Sequence, residues 1–188
     1  MPRRYDSSRR AAQAAETRRR IVRAAIGVHR QQRTDLMSVA LAAGVSLPTV
    51  HKHFPNKEVL FEACTGLLRT ESPFPQPDGM ASLASTPARV RQAVKRLQPF
   101  YEERLGLTWL TYLMAGESRT LRQVNDARQA TVEAFARALC GRRAKSEVLG
   151  AVIGVLSPLT YRALRVEGRL SEAAATIAWH KLIRAAIR

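Results

Sequence analysis

The 188-residue chain has only two cysteines, Cys64 and Cys140. They lie far apart, with no cysteine or histidine neighbour at ligand spacing, which argues against a zinc site or a disulfide framework and leaves two buried, reduced thiols as the expectation. Long apolar runs are also missing. The longest, LGAVIGVLSPL over Leu149–Leu159, falls well short of the ~20 residues that span a bilayer. The start, MPRRYDSSRR, is charged and leads into no apolar segment, unlike a secretory signal. A cytoplasmic protein without a membrane partner is expected. Patterns that carry catalysis are missing too: four scattered histidines (His29, His51, His53, His180), no nucleophile beside a base, and no glycine-rich loop for phosphate. No catalytic residue, no metal ligand and no cofactor is expected.

Acidic residues are scarce: 15 Asp and Glu stand against 31 Lys and Arg, a formal charge of +16. Residues 1–60 hold 12 basic and 4 acidic side chains, and the remaining 128 hold 19 and 11, so charge density is about twice as high at the N-terminal end. Such a surface draws polyanions. Nucleic acid is the favoured partner; the plain alternative is a solvated basic surface in an arginine-rich chain, since only five residues are lysine.

Strand-like alternation is absent, while apolar residues recur at three and four, so the expected fold is all-α. Residues 1–14 offer little to bury and are expected to form a basic flexible arm. Residues 15–69 are expected to hold four helices. Ile21, Val22, Ala25, Ile26 and Val28 stripe the first. Asp35 caps the second, Leu36 to Ala43, which Gly44 ends. Ser46 caps the third, with Pro48 tolerated in its first turn, and Phe54-Pro55 closes it. Asn56 caps the fourth. Residues 70–87 form a proline-rich loop. Residues 88–188 should add five helices, near 87–102, 105–118, 120–140, 145–167 and 171–187, with Pro99 and Pro158 each threatening a kink.

The second and third helices, joined at Gly44, satisfy the packing of a helix-turn-helix. Val39, Val45 and Val50 point inward and Ala40 leaves room for the crossing helix. The third helix then turns Ser46, Leu47, Thr49, His51, Lys52 and His53 outward, a set of hydrogen-bonding and small groups suited to a major groove.

The segments TRRRIVRAAIGVHR and LMSVALAAGVSLPTVHKHFPNKEVLF, within about residues 17–61, resemble the N-terminal DNA-binding domain of TetR-type transcriptional regulators. The resemblance implies a three-helix helix-turn-helix domain followed by a helical bundle that binds a small-molecule effector and forms a homodimer, with effector binding releasing double-stranded operator DNA. His51 stands where the family usually has a phosphate-binding tyrosine, Gly27 and His29 replace bulky apolar residues, and Arg33 falls near the usual loop glycine.

On this reading Thr49 and His51 contact phosphates or base edges, Lys52 adds a point charge, and Lys57 with the N–H groups after Asn56 clamps a phosphate. Leu47, beside Pro48, either meets a thymine methyl or packs on that proline. His53 reads as a packed cap over the first helix more than as a base reader. Arg9, Arg10 and Arg18 either embrace the duplex or belong to a non-specific basic tail. Phe100, Trp109, Tyr112, Leu113, Phe135 and Tyr161 point into the bundle, as effector pocket or as core. Glu117 pairs with a cationic ligand or with Arg119 or Arg122. Val152, Leu156, Leu159, Ile177, Trp179, Leu182 and Ile183 give the last helices apolar faces wide enough for a two-fold interface. The rival reading is a non-specific architectural DNA-binding protein.

Overall fold

A computed structural model describes residues 4–141 and 143–187. Among the described residues there are ten helices and no strand: α1 Arg4–Arg30, α2 Leu36–Ala43, α3 Leu47–His53, α4 Lys57–Glu71, α5 Thr86–Glu103, α6 Leu105–Met114, α7 Arg119–Cys140, α8 Ser146–Leu156, α9 Pro158–Arg165 and α10 Glu172–Ala186. Seven of them start under a polar cap from the residue before: Asp35, Ser46, Asn56, Ser85, Ser118 and Ser171 each accept from a backbone N–H three residues on, and Ser157 from one two residues on, satisfying donors that the helix itself leaves open.

The flexible arm expected over residues 1–14 is corrected from Arg4 onward, where the chain is already helical; residues 1–3 lie outside the described residues. The physical reason is propagation. Once Ile21–Val28 pack and nucleate the helix, each further Ala, Arg or Gln adds a hydrogen bond without a new nucleation cost.

Two apolar cores form. In the first, Ile21, Val22, Ala25 and Ile26 of α1 meet Val39 and Ala40 of α2, Val50 of α3, Phe54, and Leu60 and Cys64 of α4. Gly44 makes the corner between α2 and α3 at φ +61°, a conformation that strains any residue with a Cβ. Leu107 of α6 joins this core, so the N-terminal domain is completed by the second one. The second core gathers α5, α7, α8, α9 and α10 around Tyr101, Phe135, Tyr161 and Trp179, with Met80 of the proline-rich loop buried among them. That loop is held to the bundle: Arg96 donates to the carbonyls of Gln76 (2.6 Å) and Asp78 (2.9 Å), and Phe74 lies 4.6 Å from Phe100.

The helix expected over 145–167 is two helices, α8 and α9, bent by 49°. Pro158 is the cause, because it cannot donate to a carbonyl one turn back. The carbonyls at the end of α8 find other donors: Thr160 Oγ1 to Gly154 (2.7 Å), Trp179 Nε1 to Val155 (2.6 Å) and Tyr101 Oη to Leu156 (2.9 Å). Pro99, on the exposed side of α5, leaves its helix unbroken. Among the described residues no single helix is long and apolar enough to cross a membrane.

Candidate nucleic-acid interface and adjoining cavity

The outward face of α3 follows from its caps. Ser46 Oγ accepts from Thr49 N at 3.3 Å and shares a 2.8 Å hydrogen bond with Thr49 Oγ1, so the Thr49 hydroxyl is held at the exposed rim of the first turn. Ser46, Pro48, His51 and Lys52 are exposed, as is Lys57 at the start of α4. Val50 and Phe54 are fully buried underneath. Leu47 is half-buried and packs on the first core, so it serves the fold at least in part. The carbonyl of half-buried His53 accepts from Arg18 Nη1 at 2.8 Å, and the Arg18 guanidinium lies 4.2 Å from the Phe54 ring centroid. Arg18 is thus a brace between α1 and α3. Arg9 and Arg10 are exposed on α1.

The interface is wired to the bundle through α4. Glu58, next to Lys57, accepts from Ser118 Oγ at 2.6 Å and from Thr120 N at 2.7 Å. One carboxylate therefore caps the N-terminus of α7, where a negative charge is favoured. These hydrogen bonds hold its pKa below the usual carboxylate range. At the other end of the junction, Gly106 of α6 presses against the last residue of α1: a Cβ placed there would lie 2.0 Å from the Arg30 carbonyl oxygen.

Between these two contacts lies a cavity of about 510 Å³, within the range of small-molecule sites. Its walls come from α1 (Ile26, His29), α4 (Phe61, Cys64, Leu68), the loop at Phe74, and α5–α7. Two buried arginines stand in the wall, with an exposed third, Arg69, beside them. Arg104 is 9% exposed; its Nη2 donates to the Ser72 carbonyl at 2.7 Å, its guanidinium lies 4.3 Å from the Phe100 centroid, and its Nε has no partner. Arg128 is 8% exposed and donates to Asn125 Oδ1 at 2.7 Å and Thr111 Oγ1 at 3.0 Å. Burial pulls both pKa values down, though a guanidinium remains charged. His29 is neutral at pH 7, since burial and the charge of Lys57 push it down to about 4.

The expected pocket residues are largely elsewhere. Of the seven, Phe100 alone lines the cavity. Phe135 and Tyr161 belong to the second core, where Tyr161 Oη donates to Glu102 at 2.7 Å and Gln98 donates to it. Trp109 lies under the Arg162 guanidinium at 4.3 Å and Tyr112 faces Arg128 at 5.3 Å. Leu113 is 56% exposed. Glu117 is exposed, and Arg122 donates instead to the carbonyls of Ala115 and Gly116. The reason is that an aromatic side chain states only that it will be buried, and this bundle has a solid core beside its cavity.

The expected dimer face is likewise corrected. Val152, Leu156, Trp179 and Ile183 are wholly buried within one chain and Leu159 is half-buried, while Ile177 stays 58% exposed and Leu182 is exposed. The broad apolar faces of α8 and α10 serve α5 and α7 first. What sequence reasoning missed, Arg104, Arg128 and Glu58, had one visible signal. Arg128 falls in step with Leu121, Val132, Phe135 and Leu139, all on the buried side of α7, where a charge is out of place.

A helix-turn-helix with a solvent-facing third helix, capped by a helical bundle, defines a DNA-binding protein of the regulatory class. Residues 21–64 match the family model described as bacterial regulatory proteins, tetR family, and this domain makes the chain a DNA-binding transcriptional regulator. No curated protein matches the sequence.

Proposed function

We propose that the chain acts as a homodimeric repressor, holding a palindromic operator through α3 and the start of α4 and releasing it when a small molecule enters the cavity. The observation that carries ligand control is the shared ownership of the cavity: α1 and α4 of the DNA-binding domain supply one wall and α5–α7 the other. An occupant that prefers one arrangement of these helices shifts the protein towards it. Two recognition helices must sit about 34–36 Å apart to enter successive major grooves, which calls for a dimer. The outward faces of α8 and α10 suit one, with Gly150, Ala151 and Gly154 exposed on the first and Ile177 and Leu182 exposed on the second. Thr49, His51 and Lys52 then lie toward the groove, with Ser46, Pro48 and the exposed edge of Leu47 at its margin. Lys57 clamps a phosphate at the α4 N-terminus, His53 and Arg18 hold the angle between α1 and α3, and Arg9 and Arg10 run along the backbone.

Selection of bound duplexes from a random pool tests the DNA assignment. Wild type should enrich a palindrome. Thr49→Ala should blur preference at particular positions. Lys57→Ala should weaken all sequences alike and flatten the salt dependence by about one unit. A pool that stays random, with a steep salt slope, would favour the architectural reading that +16 suggests. Light scattering tests the dimer: Ile177→Glu should halve the solution mass while shifting denaturation by less than about 0.5 kcal/mol, as for a surface change in one chain. A wild-type monomer would overturn the assembly.

A further inference from the structure

The wall of the cavity holds two buried positive charges, Arg104 and Arg128, and no buried counter-charge among its lining residues. Arg104 and Arg128 are each more than nine-tenths buried, and both use neutral acceptors: a backbone carbonyl, an amide oxygen and a hydroxyl. Neither is in an ion pair among the described residues. The neighbouring Glu103 is committed to Arg30 at 2.9 Å, and the acid among the lining residues, Glu62, is exposed, as is Arg69. A buried charge without a partner is costly, and an apolar side chain of the same volume would suit the fold better. The Nε of Arg104 has no hydrogen-bond partner at all, although buried donors are nearly always satisfied. The remaining wall combines an apolar and aromatic patch, Phe61, Phe74, Phe100, Leu107 and Leu110, with neutral polar groups such as Thr65, Gln76 and Thr131.

We propose that the effector is an amphipathic organic anion, its carboxylate seated between Arg104 and Arg128 and its apolar body lying against Phe61, Phe100 and Leu110. This rests on the reading of the cavity as the effector site. A guanidinium presents paired N–H groups that match a carboxylate, and the low-polarity surroundings strengthen that attraction. The same charges disfavour a cationic ligand. Arg104 touches the Ser72 carbonyl at the end of α4, so a carboxylate there competes for the contact that joins the cavity to the helix behind Lys57.

Calorimetric titration of the full chain with two matched series tests the proposal: decanoate, decan-1-ol and decylammonium, then 2-naphthoate, 2-naphthylmethanol and 2-naphthylmethylammonium. At least one carboxylate should bind about tenfold or more tighter than its alcohol, with the ammonium weakest. Arg128→Met should lose that tenfold while holding the alcohol within about twofold, and the ligand-free variant should melt no lower than wild type. An alcohol or ammonium that binds as tightly as its carboxylate overturns the charge class and leaves the cavity as a binding site. So does an unchanged carboxylate-to-alcohol ratio in Arg128→Met. If no probe of any charge binds, the cavity is not an effector site and both readings fall. Selective carboxylate binding without release of DNA in a gel-shift assay supports the anion class and overturns the coupling.

Discussion

Trp179→Ala should lower the unfolding free energy by about 4 kcal/mol, the usual loss for a large aromatic removed from a core. Trp179 is wholly buried, with ring centroids of Tyr161 and Tyr101 at 5.2 and 5.5 Å. Its Nε1 also supplies the donor for the Val155 carbonyl, which the break at Pro158 leaves near the end of α8. Alanine therefore opens a cavity and strands a half-buried acceptor together. Against a total stability of about 5–15 kcal/mol, such a loss is severe. Urea denaturation of the variant measures it. A Trp179 seated at a subunit interface would give a different result: a well-folded monomer with little loss in stability per chain. The contrast with Ile177→Glu, two residues away on the opposite side of α10, separates core from surface on one helix.

Gly106→Ala should lower stability by about 2–3 kcal/mol, at the upper end of what overpacking by one methyl costs. The added Cβ would sit 2.0 Å from the Arg30 carbonyl oxygen and 2.9 Å from its carbon. Both atoms are backbone, so no rotamer change relieves the clash and the start of α6 must part from the end of α1. That separation moves Leu107 out of the N-terminal core and shifts the wall that carries His29, so DNA affinity should fall with stability. Gly27→Ala is the matched control. Its Cβ meets nothing within 4 Å and it lies inside α1, so alanine should raise stability by about 0.5–1 kcal/mol. Thermal melts of the two variants should move in opposite directions. Equal shifts would mean that α1 and α6 do not bear on each other.

The helix-turn-helix was legible because its determinants are short-range. Asp35, Ser46 and Asn56 each cap within three residues, Gly44 takes a backbone conformation that is its own, and Val39, Val45 and Val50, from α2, the turn and α3, all turn to the first core. The corrections to the pocket and to the dimer face involve partners distant in sequence. Nothing near Trp179 reveals that Val155, 24 residues earlier, needs its indole N–H. The steps of 7, 4, 3 and 4 residues from Leu121 to Leu139 show that Arg128 shares the buried face of α7, yet only the packed structure brings it to Thr111 and the cavity. The same holds for Glu58, whose partners at Ser118 and Thr120 lie some sixty residues on.

By itself the sequence determined an all-helical chain, a capped DNA-reading element near its start and a positive surface that attracts polyanions, since propensity, capping and net charge depend on residues within a turn or on composition alone. The tertiary structure decided which side of each broad apolar helix is spent inside one chain, where an empty space remains, and which charges are left without a partner beside it. Those outcomes depend on which elements meet across long stretches of chain, and local periodicity carries no record of that meeting.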